Sequence, residues 1–246
     1  MDKLYVISPG YEKAEPVDSA VILDLKQYMG WHCDKYIVQD EPACGWNADT
    51  IPVGNLVFVA KAMSAVLGTP ACVKPIEIPD SLLSFCRREY KKMPGSKIIG
   101  AEYADASKYF IKDISELKSW NSLLQIGDVS AQIDPDRMYS VSTKLNFGAE
   151  YRIFVCRESI LGIQRYVGDP LIFPDAETVR AMIKAYDAEE HPRSYTLDIG
   201  ITDNGTVPIE VHNFCSCGLY GLYDRDILIM LQDGWDWNLS HPGKVS

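Results

Sequence analysis

The residues best suited to chemistry lie in one stretch, Tyr195-Thr-Leu-Asp-Ile-Gly-Ile-Thr-Asp-Asn-Gly-Thr-Val-Pro-Ile-Glu-Val-His-Asn213. Asp203-Asn204-Gly205 is a turn signal, with glycine suited to the left-handed position of a three-residue loop. Such a loop pairs Thr202 with Thr206 and, counting back, Asp198 with Glu210. Side chains alternate along strands. Leu197, Ile199, Ile201, Val207, Ile209 and Val211 then share one apolar face, and Asp198, Glu210 and His212 share the other. Two carboxylates facing each other across a ladder repel unless a cation sits between them. Hard oxygen ligands of this kind suit Mg²⁺, which takes one or two carboxylates plus substrate phosphates. Asn213, just past the strand, offers a neutral oxygen. His212 is expected to be a hydrogen-bonding neighbour rather than a ligand. An ordinary solvent-facing edge is the competing reading of the same residues.

A phosphate site also needs cations. Lys112 ends the apolar segment Tyr109-Phe110-Ile111-Lys112. Glu150 and Arg152 alternate with Tyr151, Ile153 and Val155, so they share a face turned away from the apolar side, and Glu150 is expected to orient Arg152. Arg165 stands in the partner strand, and Lys118 and Arg88 are further candidates. There is no Walker A pattern and no G-x-G-x-x-G, so neither a P-loop nor a Rossmann site is supported.

The elements that must position these groups follow from periodicity and punctuation. Strands are expected at 3–8, 35–38 and 71–76, with helices at 18–29, capped by Asp18 or Ser19, and at 55–67, capped by Asn55 and stopped by Gly68. This alternation predicts a small α/β lobe over residues 1–80. A helix over 80–92 is expected to end in the basic cluster Arg87, Arg88, Lys91 and Lys92, stopped by Pro94-Gly95. Residues 81–246 then carry mostly strand signals: 108–112, 138–145, a hairpin of 150–156 with 160–167, and the hairpin of 195–202 with 206–212. A helix at 176–189 has Asp175 as its cap, and the tail is expected to form a helix at 223–232 followed by a loop rich in Trp and Asp. The plan is α+β, with antiparallel sheets in the larger part.

The 246 residues, 47% hydrophobic and 24% charged, are enough for a real core. A net charge of −10 argues against a broad grip on nucleic acid or an anionic membrane. No apolar run reaches the roughly 18–20 residues of a membrane span, and the start lacks the apolar region of a signal peptide, so a cytoplasmic protein is expected. Seven scattered cysteines read as reduced thiols.

The order of these motifs resembles an ATP-grasp fold. Lys112, the segment Tyr139–Lys144, Glu150-Tyr151-Arg152 and the Asp198…Glu210-Val-His-Asn213 hairpin correspond to that superfamily's lysine strand, adenine linker, Glu-containing strand and metal hairpin. The spelling is most similar to the divergent clade named for two arginines and a lysine. That clade also includes a cell-division-cycle assembly factor of translation initiation factor two. Ile51-Pro-Val-Gly-Asn-Leu-Val-Phe58 resembles a stretch in the N-terminal lobe of the clade's bacterial and phage members. Two positions depart from the pattern: Asp113 follows Lys112 where a Lys-Pro pair is usual, and Lys144 stands where many relatives have an acid.

The resemblance implies antiparallel sheets flanking a nucleotide cleft, with ATP and Mg²⁺ as cofactors. It implies an ATP-dependent ligase joining a carboxylate and an amine through an acyl phosphate, with a peptide or protein among the candidate substrates. It places the metal on Asp198, Glu210 and Asn213, and nucleotide contacts on Lys112, Lys118, Ser142, Lys144, Glu150, Arg152 and Arg88. Lys112, Arg152 and Arg165 are the expected catalytic groups. An ATP-binding assembly factor without ligase turnover is the alternative it leaves open.

Overall fold

The computed structural model describes residues 3–8, 36–39, 41–42, 45–115, 117 and 120–243. The expected helix at 18–29 and Lys118 lie outside them. Strands β1 (Leu4–Ile7), β2 (Tyr36–Val38) and β3 (Thr50–Val53) form a parallel sheet in the order β2-β1-β3. Helix α1 (Leu56–Leu67) follows, as its end signals require. The Asn55 side chain accepts from the Phe58 N–H at 2.9 Å, and Gly68 closes the helix in the left-handed conformation.

Two expectations fail between residues 70 and 94. Residues 71–76 form no strand: Pro70 and Pro75 remove backbone donors, and pairing is limited to isolated bridges of Cys72 with Gly243 and Glu77 with Val211. The expected helix over 80–92 is one 3₁₀ stretch, Asp80–Phe85, followed by strand β4 (Tyr90–Pro94). Arg87 sits at φ 49°, which breaks the helix before its basic end.

Strands β5 (Tyr109–Asp113) and β6 (Met138–Thr143) complete an antiparallel sheet in the order β4-β6-β5. One face, with Ile111, Tyr139 and Val141, packs on Ile98, Ala104 and Val129. Phe110, Lys112, Ser140, Ser142 and Tyr90 occupy the other face.

Strands β7 (Ala149–Cys156), β8 (Ser159–Gly168), β9 (Ser194–Thr202) and β10 (Gly205–Asn213) form a second antiparallel sheet in the order β10-β9-β7-β8. Helix α2 (Ala176–Tyr186), capped by Asp175, lays Val179, Met182, Ile183 and Tyr186 on its back face. They meet Tyr151, Ile153, Val155, Leu197, Ile199 and Val211, each burial of a large apolar side chain stabilising by about 1.5–3 kcal/mol. The expected inward face of β7 is therefore the observed one.

The tail departs from expectation. Helix α3 runs Ile227–Ser240, so the Trp- and Asp-rich segment is helical. Trp235, Leu228, Leu231 and Leu239 pack against the parallel sheet, while Ile227 and Met230 pack on Phe154 and Phe214. Asp233 is held by Arg157 and Ser194, which lets a buried acid sit in the helix. No helix of the described residues is long and apolar enough to cross a membrane.

Candidate functional site

The β9–β10 hairpin sets the site, but its register is not the one expected near the turn. Thr202 pairs with Gly205, at φ 108°, so the loop is the two residues Asp203 and Asn204. Val207 therefore faces Gly200 and leaves the expected apolar face. A bulge at Ile209 inserts one residue, after which Glu210 pairs with Asp198 as expected. Ile209 lines the cleft instead of packing in the core.

β7 adds a cation to this row. Arg152 pairs with Asp198, so Arg152, Asp198 and Glu210 stand side by side across three strands. Arg152 Nε and Nη2 donate to the two Asp198 oxygens at 2.8 and 2.7 Å, and Nη1 donates to the Gly218 carbonyl at 3.1 Å. The stacked rings of Tyr166 and Tyr220 lie over its guanidinium. Burial disfavours the Arg152 charge, yet Asp198 outweighs that and raises its pKa. Glu150 does not orient Arg152, because Asp198 has taken the guanidinium. Burial raises the Glu150 pKa, with the Tyr166 hydroxyl opposing.

Glu210 is matched from the other sheet. Lys112 Nζ bonds Glu210 and also Glu77, the latter at 2.7 Å, and His212 Nε2 lies 2.7 Å from the other Glu210 oxygen. Burial pushes Glu210 up, but His212 and Lys112 together hold it below the usual carboxylate range. Burial lowers Lys112, but Glu210 and Glu77 overcome this and raise it. Each carboxylate thus has its own side-chain cation, and an ion between them is not forced by repulsion. Glu77 was not visible in the sequence: it sits in Pro75-Ile-Glu-Ile-Pro79, where no periodicity assigns a face.

These groups border a cleft of about 680 Å³ between the two antiparallel sheets, within the usual range for a small-molecule site. Ser140 and Ser142 make a shallow floor, Phe110, Trp120, Leu123 and Ile209 are apolar walls, and Lys144 and Phe147 lie on the segment entering β7. Phe147 fits over Gly200, where a Cβ would come within 2.3 Å of its ring. Arg88 reaches the cleft with Nη1 buried and without a partner, while the nearby Tyr90 hydroxyl is hydrogen-bonded to Ser140 and the Ile78 backbone. Burial lowers the Arg88 pKa, with Cys86 and Tyr90 opposing.

The donor set can accept a nucleotide and a divalent cation. Around the cleft, the carboxylates Glu77, Glu150, Asp198 and Glu210 stand with the cations Arg88, Lys112, Lys144 and Arg152, so acidic groups for a cation and basic groups for phosphates share one site. Ligand atoms of Asp198, Glu210 and His212 lie within 4.8 Å of one another. Asn213 is buried at the end of β10, where its amide nitrogen donates to Asn238 at 2.5 Å. Asn213 pairs with the core residue Tyr195, so strand alternation turns it from the face that Glu210 and His212 share with Asp198.

Arg165 is not brought to the cleft. The bulge at Tyr166 pairs Arg165 with Tyr151, on the back face, and its guanidinium donates to the Gly168 carbonyl at 2.7 Å. Tyr166 takes the place beside Arg152. Asp113, one of the departures noted above, points away from Lys112 and is bonded by Arg137 at 2.8 Å.

The sequence of residues 85–230 matches the model of an ATP-grasp domain, family 2 of the clade named for two arginines and a lysine. No curated protein sequence matches the chain. Among solved structures, D-cycloserine synthetase DcsG superposes with a TM-score of 0.57 at 10% identity, over 96% of this chain and 99% of its own. The ATP-grasp ligase PsnB, complexed with a minimal precursor, gives 0.50 at 12% identity over 94% and 98%. D-alanine–D-alanine ligase from Bacillus anthracis gives 0.50 at 10% over 98% and 99%. At such identities the likeness is one of fold, an α+β ATP-grasp fold. The sequence match adds ancestry, covering more than half of the chain: this protein belongs to family 2 of the two-arginine, one-lysine clade of ATP-grasp domains.

Proposed function

We propose that the chain is an ATP-dependent ligase joining a carboxylate to an amine. The observation that carries this reading is the opposed arrangement of Asp198 and Glu210 on one sheet and Lys112 on the other, across a cleft with an unpartnered Arg88 N–H. Bound Mg-ATP would supply the phosphoryl group that a substrate carboxylate oxygen takes as ADP leaves, after which the amine displaces phosphate from the acyl carbon.

The protein's part is positioning and charge neutralisation. Asp198 and Glu210 would hold the cation, with His212 beside them. Lys112 would turn from Glu210 to the phosphates, and Arg88 would give its free N–H to the nucleotide. Ser142, Lys144 and Glu150, all on the cleft wall, would contact the nucleotide. Arg152 fixes the Asp198 carboxylate rather than clamping phosphate. The PsnB precursor complex supports a peptide carboxylate as one candidate substrate, and D-alanine–D-alanine ligase supports an amino acid as another.

The test combines binding and turnover. Wild-type protein should gain thermal stability from Mg-ATP. It should release ADP with a competent carboxylate, and hydroxylamine should trap the activated acyl group. Asp198→Asn and Glu210→Gln should each weaken Mg-dependent ATP binding. Unchanged Mg-ATP affinity in both variants would remove this hairpin from the site.

A further inference from the structure

Among the described residues, Glu77 is the cleft carboxylate that comes from neither antiparallel sheet. Its backbone is pinned. The Val211 N–H donates to its carbonyl at 2.8 Å, φ is 64°, and the next residue, Ile78, is buried in the main core. Prolines stand two positions away on each side. A non-glycine residue persists at positive φ only where its surroundings over-determine it. The Glu77 carboxylate is thus held in a fixed place, buried, 2.7 Å from Lys112 Nζ.

Glu210 is in a different position. It is claimed by Lys112, by His212, and by the Asp198–Glu210–His212 group that could close on a cation. A divalent ion and an ammonium cannot share one carboxylate oxygen at contact distance without strong repulsion. Lys112 holds Glu210 Oε2 and His212 holds Oε1, so a cation bound through Oε2 requires Lys112 to leave Glu210. A lysine with no other anion nearby would compete with the metal for that carboxylate. Here a second carboxylate is already in contact.

We propose that Glu77 is a positioning residue that holds Lys112 so that Glu210 is free to take the cation. This rests on the reading of the cleft as a Mg-ATP site. Glu77 need not touch nucleotide or metal. It keeps the lysine charge beneath the phosphates and off the metal carboxylate.

The experiment is a magnesium titration at fixed, near-saturating ATP, read by calorimetry and by nucleotide-dependent melting, both independent of turnover. Glu77→Gln should raise the half-saturating magnesium concentration by at least about threefold, since Lys112 then falls wholly on Glu210. Adding Lys112→Met removes the competitor. Half-saturation in the double variant should then return to within about twofold of Lys112→Met alone, which a merely structural role for Glu77 would not produce. If Glu77→Gln has no cooperative melt, Glu77→Asp carries the test, because it keeps the charge but draws it back from Lys112. It too should raise the magnesium requirement. An unchanged requirement in the folded variant overturns the proposal, as does an increase that persists in the double variant. No Mg-dependent ATP binding by wild type would bring down the cleft reading and this inference together. Normal wild-type binding, lost in Asp198→Asn and Glu210→Gln but indifferent to Glu77, brings down the inference alone.

Discussion

Replacing Arg152 by alanine should be among the most damaging single changes to this fold. An exposed ion pair contributes under about 1 kcal/mol, and its loss is barely measurable. This pair is different: the side chains of Arg152 and Asp198 are 7% and 3% exposed. Both guanidinium prongs are on the carboxylate. Removing one partner of such a pair leaves a buried charge uncompensated and costs about 3–5 kcal/mol. For a chain of this size that lowers Tm by roughly 6–20 °C, at about 2–4 °C per kcal/mol. Arg152→Lys keeps the charge but loses the two-pronged geometry, and should cost about 1–3 kcal/mol. Thermal and urea unfolding in the absence of nucleotide would measure both. Arg152→Ala also leaves Asp198 and Glu210 adjacent with less neutralisation, so millimolar Mg²⁺ should recover part of the loss. A drop in Tm below about 2 °C for Arg152→Ala, with no magnesium effect, would refute the assignment of Arg152 as the counter-charge of Asp198.

Other expectations concern the cleft. Lys112→Ala should weaken ATP binding far more than Lys108→Ala, whose side chain is 73% exposed; equal, small effects in a binding titration would count against the phosphate role. Gly200→Ala should reduce nucleotide affinity by pushing Phe147 from its seat, at an overpacking cost of about 1–3 kcal/mol; an unchanged melt and affinity would show that the ring relocates freely. Glu210 is held below its ordinary value of 4.5 because His212 and Lys112 overcome its burial. Its contribution is therefore full above about pH 4.5 and is lost as pH falls through the depressed folded value. The stability gap between wild type and Glu210→Gln should narrow on acidification below that point; a gap constant with pH in equilibrium unfolding would contradict it.

Much of this was legible in local patterns. Asn55 and Asp175 mark helix starts because their side chains satisfy backbone donors that no residue further along can reach. The alternation of Tyr151, Ile153 and Val155 reads directly as a buried strand face. The tail was misread because its acid and amide oxygens find partners from a distance: Asp233 in Arg157 and Ser194, and the Asn238 oxygen in Asn213. Arg165 was misplaced by a bulge that a count of two cannot detect. Arg88 and Lys112 were found by type, but Glu77 reaches Lys112 only because a non-periodic, proline-flanked segment runs along the outer edge of β10 and bridges Val211.

The bulge in β10 has one more consequence. A two-residue loop with an extra residue at Ile209 and a three-residue loop with none both bring Glu210 opposite Asp198. Counting alone thus allows the outer half of the hairpin two frames, related by sliding one residue, with the carboxylate pair common to both. The observed frame turns Val207 toward Gly200 and gives Ile209 to the cleft; the other would send both back to the core face. The frame adopted near the tip is what gives the cleft its aliphatic wall at Ile209. Changes in tip length can be absorbed there without moving the acids.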